Sequence, residues 1–269
     1  MRRLALLLMV LLIGACSDDA ATPFPAQLPT TPTSPPQATD IPPIRYVLGA
    51  NTIGYVADLA ALEAAAQVEQ RAESVDPAGL GGAFDLVATY GAYEGWQRSP
   101  LTPQAMLVIN PDADPLTPDL ADLLRRAINP QPVVDALGIP GVNPAMVMSV
   151  SPRALREQLA NAGRPDGLQI ALGHTFVPGA EAIAAQLDAI NVDVRLVAVP
   201  ADEINAALTA GRVQMALVTW TDPAQQADWR GLFGAAYTAD LYNLPISYLA
   251  VDGLTINTTP GGWPLPGWE

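Results

Sequence analysis

Apolar runs that fit β-strands alternate with amphipathic patterns that fit α-helices, and this alternation restricts the fold of the chain more than any other feature. The strand-like runs are short and rich in branched aliphatic residues, and they lie at residues 44–48, 84–89, 105–109, 168–172, 192–199 and 213–219. The helical patterns lie at residues 58–73, 118–128, 152–162, 179–189 and 201–210. Such alternation is typical of an α/β fold with a largely parallel sheet.

The first sixteen residues have the layout of an export signal. Arg2 and Arg3 precede the apolar run Leu4–Ile13, which has the length of a signal-peptide core and is too short to span a bilayer. Small residues follow, and then Cys16, the single cysteine of the chain. This segment resembles the lipobox of bacterial lipoproteins, and an ordinary secretory signal is the alternative. The resemblance implies a signal peptide at residues 1–15 and a diacylglyceryl anchor on Cys16, which places the protein on the extracytoplasmic face of a cell membrane.

Residues 16–43 predict a disordered tether between this anchor and the folded part. From Ser17 onward the segment contains eight prolines, many Thr and Ser residues, and almost no large apolar side chain except Phe24. A segment of this kind cannot bury enough apolar surface to offset the entropy lost on ordering. We therefore expect an extended stalk.

The charge of the chain excludes one class of partner. Without residues 1–15 the chain has 11 Arg and no Lys against 27 acidic residues, a net charge near −16. Nucleic acids and anionic lipid surfaces attract proteins through basic patches. We therefore expect no nucleic-acid partner.

Several short motifs occur in a fixed order between residues 105 and 257. They include PLTPDLADLLRRAI at 115–128, RALREQLANAGRPDG at 153–167, a Gln-Leu unit at 186–194, and Leu208 to Arg212 before a strand that ends at Trp220. Together they resemble the family 5 extracellular solute-binding proteins, the peptide and nickel receptors of ABC importers. Members of that family are longer than this chain.

The resemblance implies a two-lobed fold like that of the type II periplasmic binding proteins, reduced in size. Residues 44–105 plus 245–269 are expected to form a reduced first lobe, and residues 106–244 a second α/β lobe. It also implies a ligand cleft between the lobes, a peptide or small-molecule ligand, and an ABC permease as a possible partner.

Aromatic residues follow two of the predicted strands, where α/β sheets usually bind ligands. An arginine near the first cluster can pair with a ligand carboxylate. The family's Trp-x-x-Asp motif, whose carboxylate can receive a ligand amine, is one residue shorter here, at 220–222. The predicted ligand-binding residues are Tyr90, Tyr93, Trp96, Arg98, Trp220 and Asp222. The alternative is that the aromatic residues fill the core between the lobes.

The sequence gives little indication of a catalytic or metal-binding site. There is no Gly-x-Ser-x-Gly, no His-Glu-x-x-His and no phosphate-binding glycine loop. His174 is the only histidine, so we predict neither a metal site nor a cofactor. The leading hypothesis is a solute-binding lipoprotein of an ABC importer, and not an enzyme. The alternative is an envelope interaction or sensor module whose cleft has degenerated, with an envelope hydrolase as a third class.

Overall fold

Two five-stranded β-sheets, a two-stranded hairpin and seven α-helices make up the part of the chain that the computed structural model describes. This part comprises residues 42–52, 56, 58–147, 150–175 and 177–268, which belong to one compact unit. The signal segment at 1–15, Cys16 and the tether as far as residue 41 lie outside the described residues. Among the described helices, none has both the length and the apolar character needed to cross a bilayer.

The order of elements along the chain confirms the alternation of strands and helices. The strands are β1 (Arg45–Leu48), β2 (Gln67–Gln70), β3 (Leu86–Tyr90), β4 (Gln97–Arg98), β5 (Gln104–Ile109), β6 (Leu168–His174), β7 (Val192–Ala198), β8 (Met215–Trp220), β9 (Thr238–Asn243), β10 (Ile246–Ala250), β11 (Leu254–Thr258) and β12 (Pro264–Trp268). The helices are α1 (Leu59–Ala65), α2 (Pro118–Ala127), α3 (Pro130–Leu137), α4 (Pro152–Asn161), α5 (Ala180–Asp188), α6 (Ile204–Thr209) and α7 (Pro223–Phe233).

Four of the helices begin with the same signal, a capping side chain followed directly by proline. The caps are Thr117, Asn129, Ser151 and Asp222, and each accepts a hydrogen bond from a backbone N–H two or three residues further on. Proline suits the first helical position because its φ is already helical and its missing N–H would have had no partner there. These two-residue signals therefore define where α2, α3, α4 and α7 begin.

The first sheet has the strand order β2-β1-β3-β10-β4. Strand β1 pairs in parallel with β2 and β3, whereas β10 runs antiparallel to both β3 and β4. One face carries Tyr46 and Leu48 into the main hydrophobic core, and the other carries Val47 and Val87 into a smaller cluster with Phe84. The second face is thus covered by loops rather than by a helix.

The second sheet has the strand order β7-β6-β8-β5-β9, with parallel pairs among β7, β6 and β8 and antiparallel pairs among β8, β5 and β9. Both sheets are therefore mixed, and the prediction of a largely parallel sheet is wrong. The reason lies in two connections, residues 99–103 and 244–245, that carry the chain from one sheet to the other. All four strands that flank these connections, β4, β5, β9 and β10, run antiparallel to their neighbours. The division into lobes at residues 105 and 245 stays a prediction.

The C-terminal hairpin of β11 and β12 is fixed to the first sheet by one large side chain. Trp263 is only 1% exposed, and its ring meets that of Tyr90 edge-on with the centroids 4.9 Å apart. Asp58 accepts hydrogen bonds from the Thr259 hydroxyl at 2.6 Å and from the Gly261 backbone N–H at 2.7 Å. These contacts tie the segment before β12 to the start of α1.

The predicted helix at residues 58–73 is wrong over its second half. Helix α1 ends at Ala65, and Gln67–Gln70 forms the edge strand β2 in parallel register with β1. Only Val68 of this strand is half-buried, so its polar sequence gives no alternating apolar pattern. Pairing with the backbone of β1 decides its conformation.

Candidate ligand cleft

Two cavities meet at Ala50 and Asn51, in the short 3-10 turn that follows β1. We call the first, of about 400 Å³, the aromatic cavity, and its walls include Asn51, Val75, Val87, Thr89, Tyr93 and Trp96. We call the second, of about 320 Å³, the inter-sheet cavity, and its walls include Asn51, Leu137, Ile139, Gly179, Glu181 and Ala182. Together they form a cleft at the carboxyl ends of β1, β3 and β6, the edge where α/β sheets usually hold ligands.

A glycine after β3 places the Tyr93 ring in the aromatic cavity. Gly91 has a φ of +122°, and a Cβ on it would lie 2.8 Å from Tyr93 Cε2. Its backbone is held on both sides, because its N–H donates to Pro245 O at 2.7 Å and its carbonyl accepts from the Ser247 hydroxyl at 2.6 Å. Only glycine combines this backbone conformation with room for the ring.

Tyr93 and Trp96 form one wall of the aromatic cavity. Their ring centroids lie 5.4 Å apart at an interplanar angle of 40°. The Asn51 side-chain amide donates to the Tyr93 hydroxyl at 3.2 Å and weakly to the Tyr90 carbonyl at 3.4 Å. Burial raises the pKa of Tyr93, and the hydrogen bond from Asn51 opposes this in part. The phenol is therefore neutral at pH 7 and has a proton to donate.

The two cavities differ in charge. Among the described residues, no Asp, Glu, Arg or His side chain lines the aromatic cavity, whose polar side-chain groups are the amide of Asn51, the hydroxyls of Ser74, Thr89 and Tyr93, and the indole N–H of Trp96. The inter-sheet cavity has one carboxylate, that of the exposed Glu181 near the start of α5. Here the Tyr242 hydroxyl donates to the Pro178 carbonyl and fixes the chain before α5.

A backbone hydrogen bond links the loop after β3 to the loop after α3. The Ala92 N–H donates to Pro140 O at 2.7 Å, and Gly141, with a φ of +75°, has no room for a Cβ beside the Ala92 side chain. The loop after β3 and the loop after α3 therefore touch.

The structure brings together two of the predicted site residues, Tyr93 and Trp96, and places Tyr90 and Arg98 elsewhere. Tyr90 is only 3% exposed and packs in the core against Trp263, and burial raises its pKa. Arg98 is exposed on β4, the edge strand beyond β10, and it lines neither cavity. Tyr90 therefore fits the alternative interpretation, in which the aromatic residues fill the core.

Trp220 and Asp222 also lie away from both cavities. Trp220 is half-buried at the end of β8 against the cluster that includes Val218 and Phe233, and its indole N–H is buried without a hydrogen-bond partner. The Asp222 carboxylate accepts from the Ala224 N–H at 2.9 Å and caps α7. Asp222 therefore marks the start of α7, and its carboxylate lines neither cavity.

Asn51, Val75 and Val87 also line the aromatic cavity, and they are not among the residues predicted from the sequence. Asn51 follows the first strand as Tyr93 follows the third, so the rule that selects strand ends could have found it. Val87 lies in the middle of β3 on the face that packs against Phe84, and Val75 comes from a loop. Among the described residues, no three His, Cys, Asp or Glu side chains come together as a metal site.

Comparisons with known proteins identify the fold. No protein-family model matches the chain, and no curated protein matches it. The dipeptide-binding protein from Pseudoalteromonas sp. SM9913, solved with Met-Leu, superposes with a TM-score of 0.50 at 11% identity, over 71% of this chain and 56% of that one. A substrate-binding protein from Microbacterium hydrocarbonoxydans, solved with 4-hydroxybenzoate hydrazide, gives 0.48 at 14% identity, over 75% and 59%. Haemophilus influenzae OppA, solved with the peptide RPPGFSPFR, gives 0.48 at 13% identity, over 65% and 51%.

The chain therefore has the fold of the extracellular solute-binding proteins, and the predicted resemblance to family 5 is confirmed at the level of fold. It spans little more than half the length of these solved structures. Identities of this size establish a common architecture and no shared ligand.

Proposed function

We propose that the protein is a membrane-anchored, extracytoplasmic solute-binding lipoprotein that holds a peptide or small organic solute in the cleft for an ABC importer. The observation that carries this proposal is the aromatic cavity itself, at the carboxyl ends of β1 and β3. A concave, mostly apolar site with a few converging polar groups is the usual form of a small-molecule site. The solved protein with the same fold and a bound dipeptide supports the same role.

The membrane anchor is proposed from the sequence. Cys16 is the single cysteine, and it follows a charged, then apolar, then small-residue segment. A Cys16→Ser variant should lose incorporated palmitate and leave the membrane fraction. If this variant still fractionates with membranes and still labels with palmitate, the lipoprotein proposal is wrong.

Solute binding is tested by thermal-shift screening of the protein purified in mild detergent, against peptide, amino-acid and small organic libraries. A ligand that binds only the folded state stabilises it by RT ln(1 + [L]/Kd), about 2.7 kcal/mol at 100 times Kd. We expect at least one class of solute to raise Tm in a concentration-dependent manner. No rise across the libraries would contradict solute binding.

A second candidate is an envelope interaction or sensor module whose cleft no longer holds a solute. Two observations favour it: Asp222 is engaged in capping α7, and Trp220 is packed into the second sheet. Copurification after crosslinking in the native membrane separates the two candidates. Recovery of permease and ATPase subunits supports transport, and recovery of other envelope proteins alone supports the second candidate.

A further inference from the structure

The described walls of the aromatic cavity come from the part of the chain that forms the first sheet. The described wall residues lie in four segments between Gly49 and Trp96, in or next to the first sheet, and they do not include Asp76 or Glu94. A ligand can therefore be held there without contact with the second sheet.

The walls of the aromatic cavity favour an uncharged ligand. An ionised group moved from water into an apolar site is strongly destabilised unless an opposite charge or several hydrogen bonds compensate. Val75, Pro77 and Val87 offer neither, Trp96 offers a single indole N–H, and the described residues that line the cavity include no ionised side chain. The overall charge of −14 further disfavours an anion.

Among the polar side chains of the cavity, which also include Ser74, Thr89 and the indole N–H of Trp96, Asn51 and Tyr93 form a hydrogen-bonded pair. The Tyr93 hydroxyl accepts from the Asn51 amide and so keeps its own proton for another acceptor. The Asn51 amide oxygen is an acceptor, and no hydrogen bond to it is found among the described residues. One donor and one acceptor side by side match the carbonyl and N–H of an amide.

We propose, on the basis of the solute-binding function above, that the aromatic cavity binds an uncharged aromatic carboxamide. The flat ring packs against Tyr93 and Trp96, the Tyr93 hydroxyl donates to the ligand carbonyl, and the Asn51 amide oxygen accepts from the ligand N–H. Aromatic stacking in the enclosed site supplies affinity, and the polar pair supplies orientation.

Three probes of nearly the same shape test the charge of the ligand. 2-Naphthamide is neutral, 2-naphthoate is an anion and 2-naphthamidine is a cation, and each is titrated by calorimetry into the full protein in mild detergent. We expect 2-naphthamide to bind at least about tenfold more tightly than either ionic probe, because each ion would be buried without a counter-charge. Equal or tighter binding of an ionic probe would overturn the proposal and leave solute binding intact.

An Asn51→Asp variant tests the same idea by changing the site. The new carboxylate should reverse the preference, so that 2-naphthamidine binds more tightly than 2-naphthamide. Trp268→Ala, at an exposed tryptophan far along the chain, is the control and should bind all three probes as the unmodified protein does. An Asn51→Asp variant that keeps the original preference contradicts the placement of the ligand beside Asn51.

Failure of this proposal and failure of the proposed function give different results. If no naphthalene probe binds but a solute from the libraries raises Tm, the carboxamide proposal is overturned and solute binding stands. If neither the probes nor the libraries bind, both are overturned.

Discussion

The side-chain amide of Asn51 donates a hydrogen bond to the Tyr93 hydroxyl over 3.2 Å, and this bond joins the carboxyl end of β1 to the loop after β3. The two residues are 42 positions apart in the sequence, yet both follow parallel strands that pair with each other. Because Asn51 also lines the inter-sheet cavity, the bond lies where the two cavities meet. The shape of the cleft depends on it.

Gly91→Ala should weaken solute binding by moving the Tyr93 ring. The new methyl group would lie 2.8 Å from Tyr93 Cε2, and the φ of +122° is one that alanine rarely adopts. The strain costs on the order of 1–3 kcal/mol of stability. The matched control is Gly95→Ala, where φ is +79° but nothing lies within 4 Å of the new methyl group. Calorimetric affinity should fall only for Gly91→Ala; an equal fall in both variants would show that Tyr93 placement is not responsible.

Asp222→Ala should destabilise the protein and leave ligand affinity unchanged. The carboxylate accepts from the Ala224 N–H and caps α7, and loss of such a cap costs roughly 0.5–2 kcal/mol. Asp222→Asn keeps an equivalent cap and should retain nearly full stability. Urea denaturation measures the stability of both. If Asp222→Asn instead abolished binding of an amine-bearing solute, the carboxylate would be a ligand contact after all.

Trp263→Ala should be the most damaging aromatic substitution outside the cleft. The side chain is 1% exposed and packs edge-on against Tyr90, so its removal leaves a large cavity and costs about 3–5 kcal/mol. Trp268→Ala removes an exposed ring whose N–H donates to Pro42 O at 3.1 Å, and should cost less than about 1 kcal/mol. Similar urea midpoints for the two variants would contradict the role given to Trp263.

The stability of the protein should depend on the ionisation of Asp85. Its carboxylate accepts from the Arg45 guanidinium and from the Arg45 backbone N–H, and the guanidinium hydrogen bond in particular lowers the pKa of Asp85. A folded-state pKa below the unfolded value, about 3.9, gives stability that is present above that pH and is lost as the pH falls through the folded pKa.

An Asp85→Asn variant should therefore be less stable than the unmodified protein at pH 7, with the difference shrinking below about pH 4. Asp252→Asn, at an exposed aspartate in the turn before β11, is the control and should show no such trend. Urea midpoints measured from pH 7 down to pH 3 provide the comparison. A difference between Asp85→Asn and the unmodified protein that stays constant over this range would rule out the ion pair as its source.

Much of the fold follows from local signals in the sequence. The helices that begin at Pro118 and Pro152 are predicted by their amphipathic patterns, and the confirmed strands by continuous apolar runs such as the one at residues 105–109. Helices α3 and α7 begin with the same signals, at Asn129 and Asp222, and were missed because their apolar stripes are weak or short. Strand β2 could not be found locally, because it exists only through its pairing with β1.

The candidate site was predicted in part. The strand-end rule found Tyr93 and Trp96, which line the aromatic cavity. The same rule also selected Tyr90, because it identifies the end of a strand and not the face on which a side chain lies. Successive side chains of a strand point to opposite faces of the sheet. Tyr90 is the last residue of β3 and faces the core, whereas Tyr93 follows the glycine turn and faces the cavity. The contribution of Val75 depends on tertiary packing, which no local pattern encodes.

In the proposed site, the solute is held beside Trp96 and not beside Trp220. The most direct test is to take one solute that the unmodified protein binds and to titrate it by calorimetry into two variants. Trp96→Ala removes part of the wall of the aromatic cavity. Trp220→Ala alters the hydrophobic cluster of the second sheet that includes Val218 and Phe233. We expect affinity to fall at least about tenfold in folded Trp96→Ala, in line with the energy of an aromatic contact in an enclosed site, and to stay unchanged in Trp220→Ala. Unchanged affinity in Trp96→Ala together with loss in Trp220→Ala would contradict the account.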